Sequence, residues 1–101
     1  MTLIIDYDRP ADMLYLHIDK PRAAVGEVDD RGVILRSAID NKEACGVAVP
    51  WFKDWEEDHE DLANRISTFL SLPKSEVLLT ISSINTRESS ALPLKGRQDN
   101  G

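Results

Sequence analysis

Apolar residues recur with a period of two through the first half of the chain and with a period near 3.6 after Phe52, so the pattern predicts strands followed by helix. Leu3, Ile5 and Tyr7 alternate with Ile4 and Asp6, and Asp8-Arg9-Pro10-Ala11-Asp12 then supplies turn chemistry. The next run places Leu14, Leu16 and Ile18 on one face and Met13, Tyr15 and His17 on the other, before Asp19-Lys20-Pro21-Arg22 interrupts it. Ala23 to Val28 reads as a shorter strand in which Gly26 marks a bulge, Asp29-Asp30-Arg31-Gly32 turns the chain, and Val33 to Ile39 is extended again. A fifth strand carries Cys45, Val47, Val49 and Trp51 on one face, opposite the small residues Ala44, Gly46 and Ala48. Parallel neighbours need crossovers of about ten or more residues, and the links here are far shorter, so an antiparallel meander of about five short strands is expected.

The change of period after Phe52 predicts a helix with Asp54 as its N-cap and Glu57 three residues later. Trp55, His59, Leu62, Ile66, Phe69 and Leu70 form its apolar stripe, with Glu56, Glu57, Glu60, Asp61, Asn64 and Arg65 on the opposite side. Pro73 ends this helix at Leu72, and Leu62, Ile66 and Phe69 are expected to cover Leu14, Leu16 and Ile18. Lys74 to Ile84 fits either period, and a second helix is the favoured reading. From Asn85 onward only Leu92 and Leu94 offer anchors, which is too little to offset the entropy of ordering that segment. The fold class expected is therefore α+β, an antiparallel sheet with one or two C-terminal helices packed on it, in a single domain over 1–84 with a flexible C-terminal tail over 85–101.

Composition adds constraints rather than a function. At 42% hydrophobic and 30% charged the chain is neither disordered nor membrane-like in kind, and it contains nothing near the roughly 20 apolar residues of a membrane span. Met1 to Asp8 lacks the basic start and apolar stretch of a signal peptide, and Cys45, the single cysteine, rules out an intramolecular disulfide, so a reducing cytoplasm is expected. The formal charge is -6, and Glu56, Glu57, Asp58, Glu60 and Asp61 account for much of it. Such acidity disfavours nucleic acid and favours a basic protein partner, while also suiting the positive end of a helix dipole. A domain of this size buries little more than about 60% of its unfolded surface, which leaves room for stabilisation by homodimerisation.

Candidate chemistry is sparse. His17, His59, Cys45 and scattered carboxylates lack the converging spacing of a metal site, and no glycine loop or serine elbow that would hold a cofactor or a nucleophile is present. His59 shares the helix stripe with Trp55 and Leu62, the place of a half-buried structural histidine. Cys45, beside Val47 and Val49, reads as a small hydrophobe. Asp6 and Asp8 border a turn that uses Asp for local hydrogen bonds. Asp29-Asp30-Arg31-Gly32 is too short and too poor in acids for a calcium loop. His17 with Tyr15, on the second face of the sheet, is the pair most open to function. Trp51, Phe52 and Trp55 form the densest aromatic cluster, fit for core contacts or for a recognition patch.

Ile5-Asp6-Tyr7-Asp8, Ala11-Asp12-Met13-Leu14-Tyr15-Leu16, Gly32-Val33-Ile34-Leu35 and Gly46-Val47-Ala48-Val49 together resemble the small bacterial proteins called the domain of unknown function 2283 family, over Thr2 to about Trp51. The resemblance implies a compact sheet-rich domain and transfers no catalytic residue. The chain departs from it at Arg36-Ser37-Ala38, where family members usually carry acidic residues, and in its longer helical extension. Some members of such families are similar to the smaller half of two-gene modules in which one protein neutralises its neighbour. The function expected is accordingly a non-enzymatic protein-interaction module, an antidote-like partner of a small basic protein. The rival expectation is an enzyme of unfamiliar type using His17 in acid-base chemistry with Tyr15 or a carboxylate.

Overall fold

In a computed structural model that describes residues 2–84, the alternating half of the chain forms strands β1 (Leu3–Asp8), β2 (Met13–Ile18), β3 (Ala24–Val28), β4 (Ile34–Ala38) and β5 (Ala44–Pro50). A turn of 3-10 helix over Phe52–Trp55 leads into α1 (His59–Leu70) and α2 (Lys74–Ser82). The fold class is α+β, with one antiparallel sheet and two helices after the strands. The segment 85–101, expected as a flexible tail, lies outside the described residues.

The sheet runs in the order β1-β2-β5-β4-β3. β3, β4 and β5 form a meander, and β5 then docks beside β2 rather than at an edge. With strands about 4.8 Å apart, β2 and β3 stand roughly 14 Å from each other, within reach of the extended link 19–23. That link is held to the β4–β5 turn by the Ile39 N–H, which donates to the Ala23 carbonyl at 3.0 Å, and by Arg22, which reaches the Asn41 side chain at 3.2 Å and Asp40 at 3.4 Å.

The register pairs Leu14 with Val49 and Leu16 with Val47, so the apolar faces of β2 and β5 coincide in one central patch. Leu62, Ile66, Leu70, Val77 and Ile81 cover it from α1 and α2, and Leu14, Leu16, Val47, Val49, Leu62 and Ile66 are all buried in one cluster. Ile18 and Phe69 pack against its margin. Burial at this scale contributes roughly 1.5 to 3 kcal/mol per large side chain, which is what the two matching periodicities supply.

Four expectations about local geometry are corrected. The bulge lies between β4 and β5 and not at Gly26: Arg36 faces Gly46 whereas Ser37 faces Ala44, which leaves Cys45 as the extra residue. Ala44 therefore packs against the core cluster, while Cys45 is buried outside it instead of in line with Val47 and Val49. Gly26 sits in a regular pairing, where a Cβ would meet Cγ2 of Ile34 at 2.8 Å. The helix begins at His59, not after Asp54, because Phe52 and Trp55 both turn inward within the 3-10 segment, at the three-residue spacing such a turn allows. It also ends at Leu70, with Ser71 in the left-handed region at φ 58.

Candidate interaction site

The Asp8 to Asp12 turn and the end of β5 build one corner of the molecule. Asp12, at φ 52, accepts the Tyr7 hydroxyl on Oδ1 at 2.6 Å and the Lys53 N–H on both carboxylate oxygens at 3.2 and 3.1 Å. Its carbonyl takes the Phe52 N–H at 3.1 Å. Within the turn, Asp8 accepts the Ala11 N–H at 3.4 Å. The Tyr7-Asp8 and Ala11-Asp12 steps thus serve the fold by bolting the β1–β2 turn to the exit of β5. Burial pushes the Tyr7 phenol up to about 12, and the hydrogen bond to the Asp12 carboxylate adds to the shift.

This corner separates the three aromatic residues. Phe52 is buried, edge-on to Tyr7 with ring centroids 5.6 Å apart and stacked on His59 at 5.8 Å. The Nδ1 of His59 lies 3.2 Å from the Ser82 hydroxyl, in keeping with a structural histidine. Trp55 is buried with the Arg31 guanidinium 3.9 Å above its ring. Trp51, expected on the inward face of the fifth strand, is 69% exposed. The strand stops at Pro50, and Trp51 takes φ 53 and ψ 51, which reverses the chain and throws its indole outward. Its carbonyl is fixed by the Asp54 N–H at 2.9 Å.

A polar network unmarked by any sequence motif lies beside Trp55. Arg65 donates to Asp30 at 2.7 Å, to Asp29 at 2.9 Å and to Asp61 at 3.0 Å, and Arg31 donates to Asp61 at 2.8 Å and to Asp58 at 3.2 Å. The β3–β4 turn is thereby clamped onto α1. Burial acts to raise the Asp29 carboxyl, but the N–H groups of Arg31 and Val33 and the Arg65 guanidinium outweigh it and hold it below the ordinary value. Hydrogen bonds from Arg65 lower Asp30 and Asp61 as well, and the same carboxylates raise Arg65. The Asp61–Arg65 spacing of four is the part of this network legible in the sequence. Its links to Asp29 and Asp30 depend on tertiary approach.

The network consumes part of the acidic run and leaves the rest. Asp58 and Asp61 are paired with arginines and Glu60 with Lys74 at 3.0 Å. Asp54, Glu56 and Glu57 are exposed, with no ion pair among the described residues, in the segment immediately following Trp51. An exposed indole with uncompensated carboxylates close in the chain can receive a cationic side chain, by its π face and by charge.

Tyr15 and His17 lie on the sheet face that the helices leave open, both half-buried. Tyr15 stands opposite Asp6 and Ala48, and His17 opposite Ile4 and Gly46. Neither side chain has a hydrogen-bond partner among the described residues, so no carboxylate among them is hydrogen-bonded to His17. Among the described residues no group of three or more His, Cys, Asp or Glu could hold a metal ion, and no helix is long and apolar enough to cross a membrane.

Comparison with protein-family models, with curated proteins and with solved structures gives no match for this chain.

Proposed function

We propose that this chain is a non-enzymatic protein-interaction module whose Trp51 corner receives a cationic segment of a small basic protein, in the manner of an antidote. The observation that carries the reading is Trp51 itself. A bulky residue in the left-handed region is disfavoured by roughly 1 kcal/mol or more, and exposing an indole forgoes the burial that Phe52 and Trp55 obtain. Neither feature serves the fold, since Asn or Gly would make the same reversal with less strain. Both serve recognition, because tryptophan is enriched among residues that dominate binding and its face attracts cations. The exposed Asp54, Glu56 and Glu57 set the preferred charge of the partner.

Titration with an arginine-rich peptide, followed by calorimetry, tests this directly. Saturable binding is expected that weakens with salt and whose affinity falls roughly tenfold or more in Trp51→Asn, a variant that keeps the left-handed turn and the thermal stability. Equal binding by wild type and Trp51→Asn, or no saturable binding, would refute the proposal.

A further inference from the structure

β3 is an edge strand, and its free side is fixed by the register. The Asp29 N–H donates to the Val33 carbonyl at 2.9 Å and the Ile39 N–H to the Ala23 carbonyl at 3.0 Å. Hydrogen-bonded pairs alternate along an antiparallel ladder, so Val25 and Glu27 direct their main-chain groups to Ser37 and Leu35 on β4. The N–H and C=O of Ala24, Gly26 and Val28 point the other way, toward no strand among the described residues. The helix layer stops short of this edge, since Val25 is 61% and the adjoining Ile39 58% exposed on the helix side, and on the open face of the sheet Val28 is 67% exposed. Native edges of this kind are usually blunted by charged side chains, especially lysine, by proline or by a bulge; β3 has no lysine, proline or bulge, and one charge, Glu27.

We infer that this edge is a dimerisation surface and that its occupant is the same strand of a second copy, paired antiparallel about a two-fold axis at Gly26. The edge is self-complementary under that operation. An axis at Gly26 sets Ala24 opposite Val28 of the second copy, so each of the three outward residues both donates and accepts a main-chain hydrogen bond. Gly26 meets itself at the axis, where the lack of a side chain lets the backbones approach. The same register sets Val25 opposite Glu27 and carries Asp30, bonded to Arg65 but with its side chain 79% exposed, toward Arg22 of the second copy, itself bonded to Asp40 and Asn41. The charges at the two ends of the strand are therefore complementary as well. The product is one continuous antiparallel sheet, a β-augmented dimer that leaves the Trp51 corner of each copy free.

Amide hydrogen exchange across a concentration series, with sedimentation equilibrium on the full chain, tests the inference. The amides of Ala24, Gly26 and Val28 should gain protection in step with the doubling of mass, while those of Val25 and Glu27 are protected throughout. Ala24→Pro removes only an outward N–H and should weaken dimerisation roughly tenfold or more. Val25→Glu places a carboxylate against Glu27 of the second copy and should do the same, and adding Glu27→Lys in that chain should restore the dimer through opposite charges. A chain that stays monomeric at every concentration overturns the proposal. So does a dimer indifferent to all three variants, and so does protection of Ala24, Gly26 and Val28 that is independent of concentration, which would mean that the chain covers its own edge.

Discussion

Tyr7 and Asp12 hold the corner from which Trp51 projects, and their bond is short because a phenol donates to a carboxylate. Tyr7→Phe keeps the ring contact with Phe52 and removes the donor, while Asp12 retains the Lys53 N–H. The expected loss is about 1 to 2 kcal/mol in urea unfolding. A second measurement follows from the raised phenol. A group whose folded-state pKa lies above its unfolded value contributes stability that is fully present below the unfolded value of 10.0 and is lost as the pH rises toward about 12. Wild type should therefore lose stability across that window more steeply than Tyr7→Phe, and parallel curves would remove Tyr7 as the cause. At this scale the sequence is partly legible. The cluster of Trp51, Phe52 and Trp55 stands out, but the outward turn of Trp51 depends on a left-handed backbone that tryptophan itself disfavours, so no local preference announces it.

Elements are easier to read than their ends. Period-two runs locate all five strands, and the stripe of Leu62, Ile66 and Leu70 locates α1, because both patterns report burial directly. The helix starts later than Asp54 for a physical reason: Asp54 and Glu57 imitate a capping box, yet burying Phe52 and Trp55 draws those residues into a 3-10 turn. Asp58 takes the N-cap position without a side-chain cap, since its carboxylate goes to Arg31. What ties α1 to the sheet on this side is Arg65, and Arg65→Ala should cost about 1 to 3 kcal/mol, chiefly through its bond to the largely shielded Asp29. Carboxylates lowered in the folded state stabilise it above their unfolded pKa and lose that contribution as the pH falls below the ordinary value of 3.8. The variant should accordingly unfold with a shallower acid dependence below that pH than wild type. An unchanged acid limb would show that Asp29, Asp30 and Asp61 do not draw their stability from Arg65.

For the whole molecule, the decisive feature is that the sheet consists of two parts, the β1–β2 hairpin and the β3–β4–β5 meander, which join only along β2 and β5. The meander expected from short links does not show this join, because the link 19–23 is long enough to carry the chain past the β4–β5 turn to β3. Leu16 and Val47 face each other across it beneath the helices, and Leu16→Ala should cost about 2 to 5 kcal/mol, with a change under about 0.5 kcal/mol placing Leu16 outside the core. Gly46 offers the sharper test. A Cβ on Gly46 would stand 2.7 Å from the Leu16 carbonyl oxygen and 3.3 Å from the His17 Cβ, so β2 and β5 would have to part. A Cβ on Gly26 would meet the Ile34 Cγ2 at 2.8 Å, a side-chain methyl that moves only with χ1 of a β-branched residue, but no backbone atom. Overpacking costs about 1 to 3 kcal/mol when the neighbour cannot yield, so Gly46→Ala belongs at or above the top of that range and Gly26→Ala below it. Because the backbone contact at Gly46 lies on the join, its loss should lower the midpoint of one cooperative unfolding transition seen alike by circular dichroism and by Trp55 fluorescence. If Gly26→Ala proved the more damaging, or if the Gly46→Ala transition split in two, the two parts of the sheet would not be held as one unit by the β2–β5 pairing.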